Sequence, residues 1–197
     1  MTQTDPRSDA ARAQRRKSNR TMLLVIAVAF LGSALLAGAL RFSGWRPAGT
    51  KNHGELLQPP GDLRAVVPRL ADGGEYRWNP LARTWRIVLA PPPSCRESCV
   101  ALAHDLDTVW RLFGRNADHV HILWVGTPPE GAQRNRAWRV LAPDPALRAS
   151  LPGVEAGGPA GAPVYVVDPN GFVILRYAPG FDAGHLRTDM ARLLKLK

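Results

Sequence analysis

The chain has only two cysteines, Cys95 and Cys99, so at most one intramolecular disulfide is open to it. It has no internal repeat, which excludes solenoid and propeller arrays. Past residue 50 it has no cluster of positive charge either: Lys and Arg stand singly among Asp and Glu, the pattern of a solvated surface. The formal charge of +10 therefore does not mark a nucleic-acid binder. Much of it comes from the tail, where Arg7, Arg12, Arg15, Arg16, Lys17 and Arg20 face only Asp5 and Asp9.

Charge itself is missing from Thr21 to Leu40, a run of 20 residues dominated by Leu, Val, Ile, Ala and Phe. At about 1.5 Å rise per residue such a helix spans the roughly 30 Å hydrocarbon core of a membrane. Basic residues crowd its N-terminal flank, whereas the other flank offers only Arg41 and Arg46, so the positive-inside rule puts the tail in the cytoplasm. A cleaved signal peptide is the competing expectation, with Ala37-Gly38-Ala39 as its small-residue site. The run is longer than the roughly 7 to 15 residues of a signal-peptide core, which favours an uncleaved anchor. Arg15-Arg16 is a weak twin-arginine signal. The expected organisation is a basic cytoplasmic tail over 1–20, a transmembrane signal anchor over 21–40, a juxtamembrane linker over 41–60 and a periplasmic domain over 61–197. That places the chain in a bacterial inner membrane as a single-pass protein.

Within the exported part, Thr84 to Ala90 reads as a strand buried on both faces, stopped by three prolines. Ser94 to Phe113 reads as a helix whose apolar face runs from Cys99 through Leu106 to Phe113, with Ser94 and Glu97 in the capping-box spacing. Val120 to Val125 is the next strand, and a strand, helix, strand unit implies a parallel pair. Asn135 to Ser150 reads as a second helix broken by Pro143 and Pro145. A hairpin follows, Val164 to Val167 and Phe172 to Tyr177 around Asp168-Pro169-Asn170-Gly171, then an amphipathic helix from Ala183 to Leu196. The order implies an α/β, thioredoxin-like domain behind the transmembrane helix.

Cys95 and Cys99 fall just after the first strand. Four apart on a helix they share a face, with Cα atoms about 6 Å apart, so they could bridge or bind one metal together. With Ser94 as N-cap, Cys95 would be the first helical residue, where free N–H groups and the helix dipole favour a thiolate. A stapling disulfide is the alternative, but closing so short a loop constrains the unfolded chain by only about 2 kcal/mol. The C-x-x-x-C spacing departs by one residue from the C-x-x-C of redox thioredoxins and is informative only because of its place at the strand-to-helix turn.

The anchor, Cys-Arg-Glu-Ser-Cys after a hydrophobic strand, the run Tyr165-Val166-Val167-Asp168-Pro169-Asn170-Gly171 and the basic final helix together resemble the SCO/SenC group. Asn52-His53-Gly54-Glu55-Leu56-Leu57, the strand at Trp85, and the run from Tyr165 through Arg176-Tyr177 to Lys195 are similar to small proteobacterial transmembrane proteins associated with cytochrome oxidase gene clusters. The SCO/SenC resemblance implies a thioredoxin-fold factor that delivers copper to cytochrome c oxidase or keeps its thiols reduced. One departure stands out: where copper-binding SCO proteins add a histidine, this chain has Gly157-Gly158-Pro159-Ala160-Gly161-Ala162-Pro163. Cys95 and Cys99 remain as metal ligands, a pair suited to Cu(I) and poor for Cu(II). His104, His119, His121 and His185 are poorly placed to help, and His53 is the histidine that could fold back over the pair. The resemblance to thioredoxins also implies a cis peptide bond at Pro163, beside the cysteines.

These readings lead to an expected role in cytochrome c oxidase assembly, exercised on thiols or Cu(I) through Cys95 and Cys99, with Pro163 as a third site residue. The expected partners are the inner membrane and an oxidase subunit or assembly factor. A general membrane-tethered thiol–disulfide oxidoreductase and a non-catalytic scaffold for an oxidase subunit are the alternatives.

Overall fold

The computed structural model describes residues 6–43, 51–132, 134–158 and 161–196, with the backbone alone described over 6–18. It divides into two units, Met1–Thr50 and Lys51–Lys197. In the first, helix α1 (Pro6–Phe42) contains the stretch Asn19–Phe42, 24 residues that are long and apolar enough to cross a membrane. At about 1.5 Å per residue that stretch is about 36 Å long. Its apolar side chains, among them Leu23, Ile26, Val28, Phe30 and Leu35, are exposed in every direction, as in a helix whose solvent is lipid. Residues 1–5 of the expected tail and 44–50 of the expected linker lie outside the described residues.

The second unit is built on one sheet. Strands β1 (Glu55–Asp62), β2 (Trp85–Leu89), β3 (Val120–Val125), β4 (Trp138–Leu141), β5 (Val164–Val167) and β6 (Phe172–Tyr177) lie in the order β1-β6-β5-β2-β3-β4. β2, β3 and β4 run parallel, while β5 is antiparallel to β2, β6 to β5, and β1 to β6. Helices α2 (Glu97–Leu112) and α4 (Ala183–Leu193) put Cys99, Ala103, Leu106, Leu186 and Met190 into one core with Ile87, Leu89, Ile122, Trp124, Val164 and Val166. The alternate residues Val88, Leu123, Val125, Tyr165 and Val167 form a second core with Leu63 and with Leu147 of the short helix α3 (Pro145–Ala149). Successive side chains of a strand point to opposite faces, so these two lists are the two sides of one buried sheet.

Three expectations are corrected. β1 lies partly inside the segment expected as a linker; Pro59, Pro60 and Gly61 break its alternation, which an edge strand tolerates because the missing N–H needs no partner there. The proline-broken helix expected over 135–150 is instead β4 followed by α3. Four residues of β4 continue the parallel ladder beside β3, and Asp144 caps α3 by accepting from the Ala146 and Leu147 N–H groups, with Pro145 in its first turn. Finally, α2 starts at Glu97 and not at Ser94. Its N-cap is Arg96 and no side chain caps it, because a turn closed by Cys95 N–H donating to the Pro92 carbonyl holds the residues before it.

Asp189 ties the start of this unit to its last helix. Its carboxylate is 2% exposed and accepts from His53 N–H at 2.7 Å, Gly54 N–H at 3.0 Å and the Tyr177 hydroxyl at 2.8 Å. His53 Nδ1 stands 3.1 Å from its other oxygen, and Arg192 donates to that oxygen at 3.3 Å. Burial pushes its pKa up, but the Gly54, Tyr177 and His53 donors outweigh this and hold the carboxyl below its ordinary 3.8. A lowered carboxyl pKa stabilises the fold above the unfolded value, and that stability is lost as pH falls through the folded value. Asp189→Ala should cost about 3 kcal/mol at neutral pH in chemical denaturation of the detergent-solubilised chain. The gap between variant and parent should shrink as the pH is taken below 3.8; a gap independent of pH would contradict the ionised, buried Asp189.

Candidate functional site

Ala90 and Pro91-Pro92-Pro93 end β2, since proline brings no N–H to a ladder. The chain then turns at Cys95 into α2, and a disulfide joins Cys95 to Cys99 with Cα atoms 5.5 Å apart. Leu89 pairs with Trp124, so the disulfide stands beyond the carboxyl ends of two parallel strands, where open α/β sheets place their sites. The two sulfurs are not equivalent. Cys99 is fully buried, whereas Cys95 retains 8% of its surface and has the Ser98 hydroxyl 3.4 Å from its Sγ. Cys95 thus precedes the helix instead of being its first residue, and its distinction is access plus a neighbouring hydroxyl that can donate to a sulfur anion.

Cys95 forms part of the wall of a cleft of about 900 Å³. The facing wall is the loop after β3, Gly126 to Glu130, together with Pro143-Asp144-Pro145 before α3. Trp124 also lines the cleft; it is fully buried and its indole N–H has no partner among the described residues. Trp138 stacks on it with ring centroids 5.4 Å apart and likewise leaves its indole N–H unpaired. Arg148 donates to the Ala90 carbonyl at 2.7 Å and pairs with Glu155 at 3.0 Å, which pins the segment ahead of the prolines. A smaller cavity of about 370 Å³ lies beside Trp85 and Asn170, with neither cysteine in its lining.

Pro163 is corrected. The implied cis bond is not formed: among the described residues the only cis peptide is Gln58-Pro59. Trans is the lower-energy form of an X-Pro bond by about 0.5–1 kcal/mol, and Gly161, at φ +121°, supplies the turn into β5. Pro163 nonetheless adjoins the cysteine loop. A Cβ on Gly157 would lie 2.9 Å from Cδ of Pro92 and 3.3 Å from Cδ of Pro163, so only glycine fits between the two rings. In the stretch that lacks the histidine, Pro159 and Ala160 are outside the described residues.

The histidines are engaged elsewhere. His53 folds back, but onto α4, where it contacts Asp189 and stacks on His185 with centroids 4.3 Å apart. His121 pairs with Arg86 near the other end of β2 and lies 2.8 Å from the Tyr76 hydroxyl; burial, then Arg139 and Arg86, push its pKa down to about 4. His119 stands just before β3 at that same end, and His104 is exposed beside Asp105. Among the described residues no three His, Cys, Asp or Glu side chains form a metal-binding group. Sequence reasoning found the cysteine pair but missed the cleft and Trp124, whose isolated tryptophan in a strand carries no local signal.

A sheet of this order, with a cysteine pair at the head of the helix after its central strand, defines a thioredoxin-like protein. Residues 85–197, more than half of the chain, match the family "Transmembrane-like, thioredoxin-like, C-terminal domain", and the chain belongs to it. Among solved structures, apo Sco1 from Thermus thermophilus matches with a TM-score of 0.52 and 18% identity, over 77% of this chain and 100% of that one. BsSco, a member of the Sco family of cytochrome c oxidase assembly proteins, gives 0.50 and 13% over 77% and 100%. Peroxiredoxin Q from Xanthomonas campestris gives 0.45 and 15% over 74% and 98%. At these identities the likeness is one of fold. No curated protein matches the chain in sequence.

The unequal burial of the sulfurs makes a testable difference. In the reduced full chain, Cys95 should alkylate at least about tenfold faster than Cys99, read by mass mapping of partly modified protein. Equal rates would contradict the exposure of Cys95 at the cleft.

Proposed function

We propose that this chain is a membrane-anchored thiol–disulfide exchange factor that serves the assembly of cytochrome c oxidase. It works outside the cytoplasm, at the bacterial inner membrane, on thiols of an oxidase subunit or assembly factor. The observation that carries this reading is the Cys95–Cys99 disulfide at the carboxyl end of the central strand, with Cys95 in the wall of a cleft and Cys99 buried behind it. A client thiolate attacks Cys95 Sγ; a client–Cys95 bond forms, the Cys95–Cys99 bond breaks, and Cys99 Sγ leaves with the electron pair. A second client thiolate then attacks the client sulfur, Cys95 departs as thiolate, and the client leaves oxidised with two electrons on the Cys95/Cys99 pair. Reversed, the same steps reduce a client disulfide. A staple closing so short a loop would add only about 2 kcal/mol, a small reward for placing a disulfide against a cleft.

The oxidase assignment is supported by the resemblance in sequence to oxidase-associated proteins and by the Sco-like fold. The placement outside the cytoplasm rests on the basic N-terminal flank of the apolar helix. A second reading, delivery of Cu(I) as cargo, is favoured by one feature: on reduction, two thiolates a helical turn apart offer a soft two-sulfur site. The engagement of His53 with Asp189 and His185 leaves that site without a ready imidazole, so Cu(II) should bind weakly.

Cells lacking the protein and complemented with the double variant Cys95→Ser/Cys99→Ser test both readings. The variant should accumulate in the membrane and fail to restore oxidase activity, and copper added to the medium should not help. Rescue by copper would favour the cargo reading. Full activity of the double variant without added copper would overturn both and favour a scaffold.

A further inference from the structure

The cleft has a chemistry of its own. Seven of its described lining residues are prolines, which bring no backbone N–H donors; the Pro92 and Pro129 carbonyls already accept from the Cys95 and Ala132 N–H groups. Glu97 and Glu130 line it with no ion pair or hydrogen bond among the described residues, while the third carboxylate, Asp144, is occupied in capping α3. Of the two arginines there, Arg148 is held by Glu155 and the Ala90 carbonyl, so that among the described residues Arg96 is the one cleft guanidinium without a partner, against two such carboxylates. At about 900 Å³ the cleft is at the upper end of the roughly 300–1,000 Å³ of ordinary ligand sites.

We propose that this cleft, on the β3 and β4 side of the disulfide, docks an extended, cysteine-bearing segment of a partner polypeptide that carries a basic residue beside its cysteine. The inference rests on the exchange reading above and names its client. An extended backbone is the ligand that brings a row of N–H donors to a wall whose seven prolines offer none. A lysine or arginine next to the client cysteine meets Glu97 and Glu130. The segment lies along the wall that holds Cys95, so its thiolate approaches Cys95 Sγ, the S–S bond to Cys99 breaks, and Cys99 leaves as thiolate.

The test uses the oxidised full chain in detergent micelles and three reductants: a short synthetic peptide with one central cysteine flanked by lysines, its counterpart flanked by glutamates, and dithiothreitol. Opening of the disulfide is followed by alkylation and mass. Each peptide's rate is divided by its rate on a small aromatic disulfide, which removes the effect of flanking charge on the thiol itself. The lysine peptide should then be favoured about fivefold over the glutamate peptide, the effect of two partly exposed ion pairs, and Glu97→Gln with Glu130→Gln should bring the ratio close to one. Opening by dithiothreitol with no preference between the peptides, or a preference that survives the double glutamine variant, would overturn the docking proposal alone. A disulfide that none of the three opens would overturn the exchange reading and this inference together.

Discussion

Everything at the site depends on the parallel pairing of β2 with β3. Two parallel neighbours cannot be joined by a tight turn, so the chain must leave the carboxyl end of β2, cross the sheet face as a helix, and re-enter at the far end. That requirement alone puts the start of α2 over the carboxyl ends of the strands. The proline run then fixes where the strand stops, and the turn at Cys95 delivers one sulfur to the cleft while α2 carries the other into the core. The place of Cys95 at the cleft is thus a consequence of topology, and a disulfide closing so short a loop constrains the unfolded chain by only about 2 kcal/mol.

A second constraint holds the opposite flank. β1 is an edge strand interrupted by prolines, and its register shifts between Leu56 and Gly61. Its attachment is reinforced by side chains: Asp189 collects the His53 and Gly54 N–H groups, and Arg176 pairs with Glu55 at 3.0 Å. On the other core, the fully buried Arg86 donates to the Asp168 and Pro169 carbonyls and to the Tyr76 hydroxyl, so the hairpin turn is bolted to the central strand. Both arrangements satisfy buried polar groups that would otherwise be costly, and both leave the cysteine end of the sheet unencumbered.

How much of this was legible varies with the range of the interaction. Uninterrupted apolar runs and an Asn-Gly turn are local signals, and β2, β3, β5 and β6 were readable from them to within a residue. β4 was not, because Trp-Arg-Val-Leu is too short to distinguish strand from helix by period. β1 hid behind Pro59 and Pro60. The start of α2 was misplaced because Ser94 and Glu97 have the spacing of a capping box, whereas a turn through Pro92 won. Cys95 and Cys99 could be found because they are adjacent in sequence as well as in space. The cleft, the unpaired Trp124 N–H and the Asp189 to His53 contact join segments far apart in the chain, and no local pattern carries them.

The central claim is that Cys95 is the sulfur that meets the client and Cys99 the one that resolves the bond. Membranes from cells carrying Cys99→Ser or Cys95→Ser, quenched in acid and separated without reductant, test it directly. The account predicts that Cys99→Ser accumulates a mixed disulfide between Cys95 and a partner cysteine, mapped by mass, while Cys95→Ser accumulates little. Equal trapping by the two variants, or trapping through Cys99 alone, would contradict it.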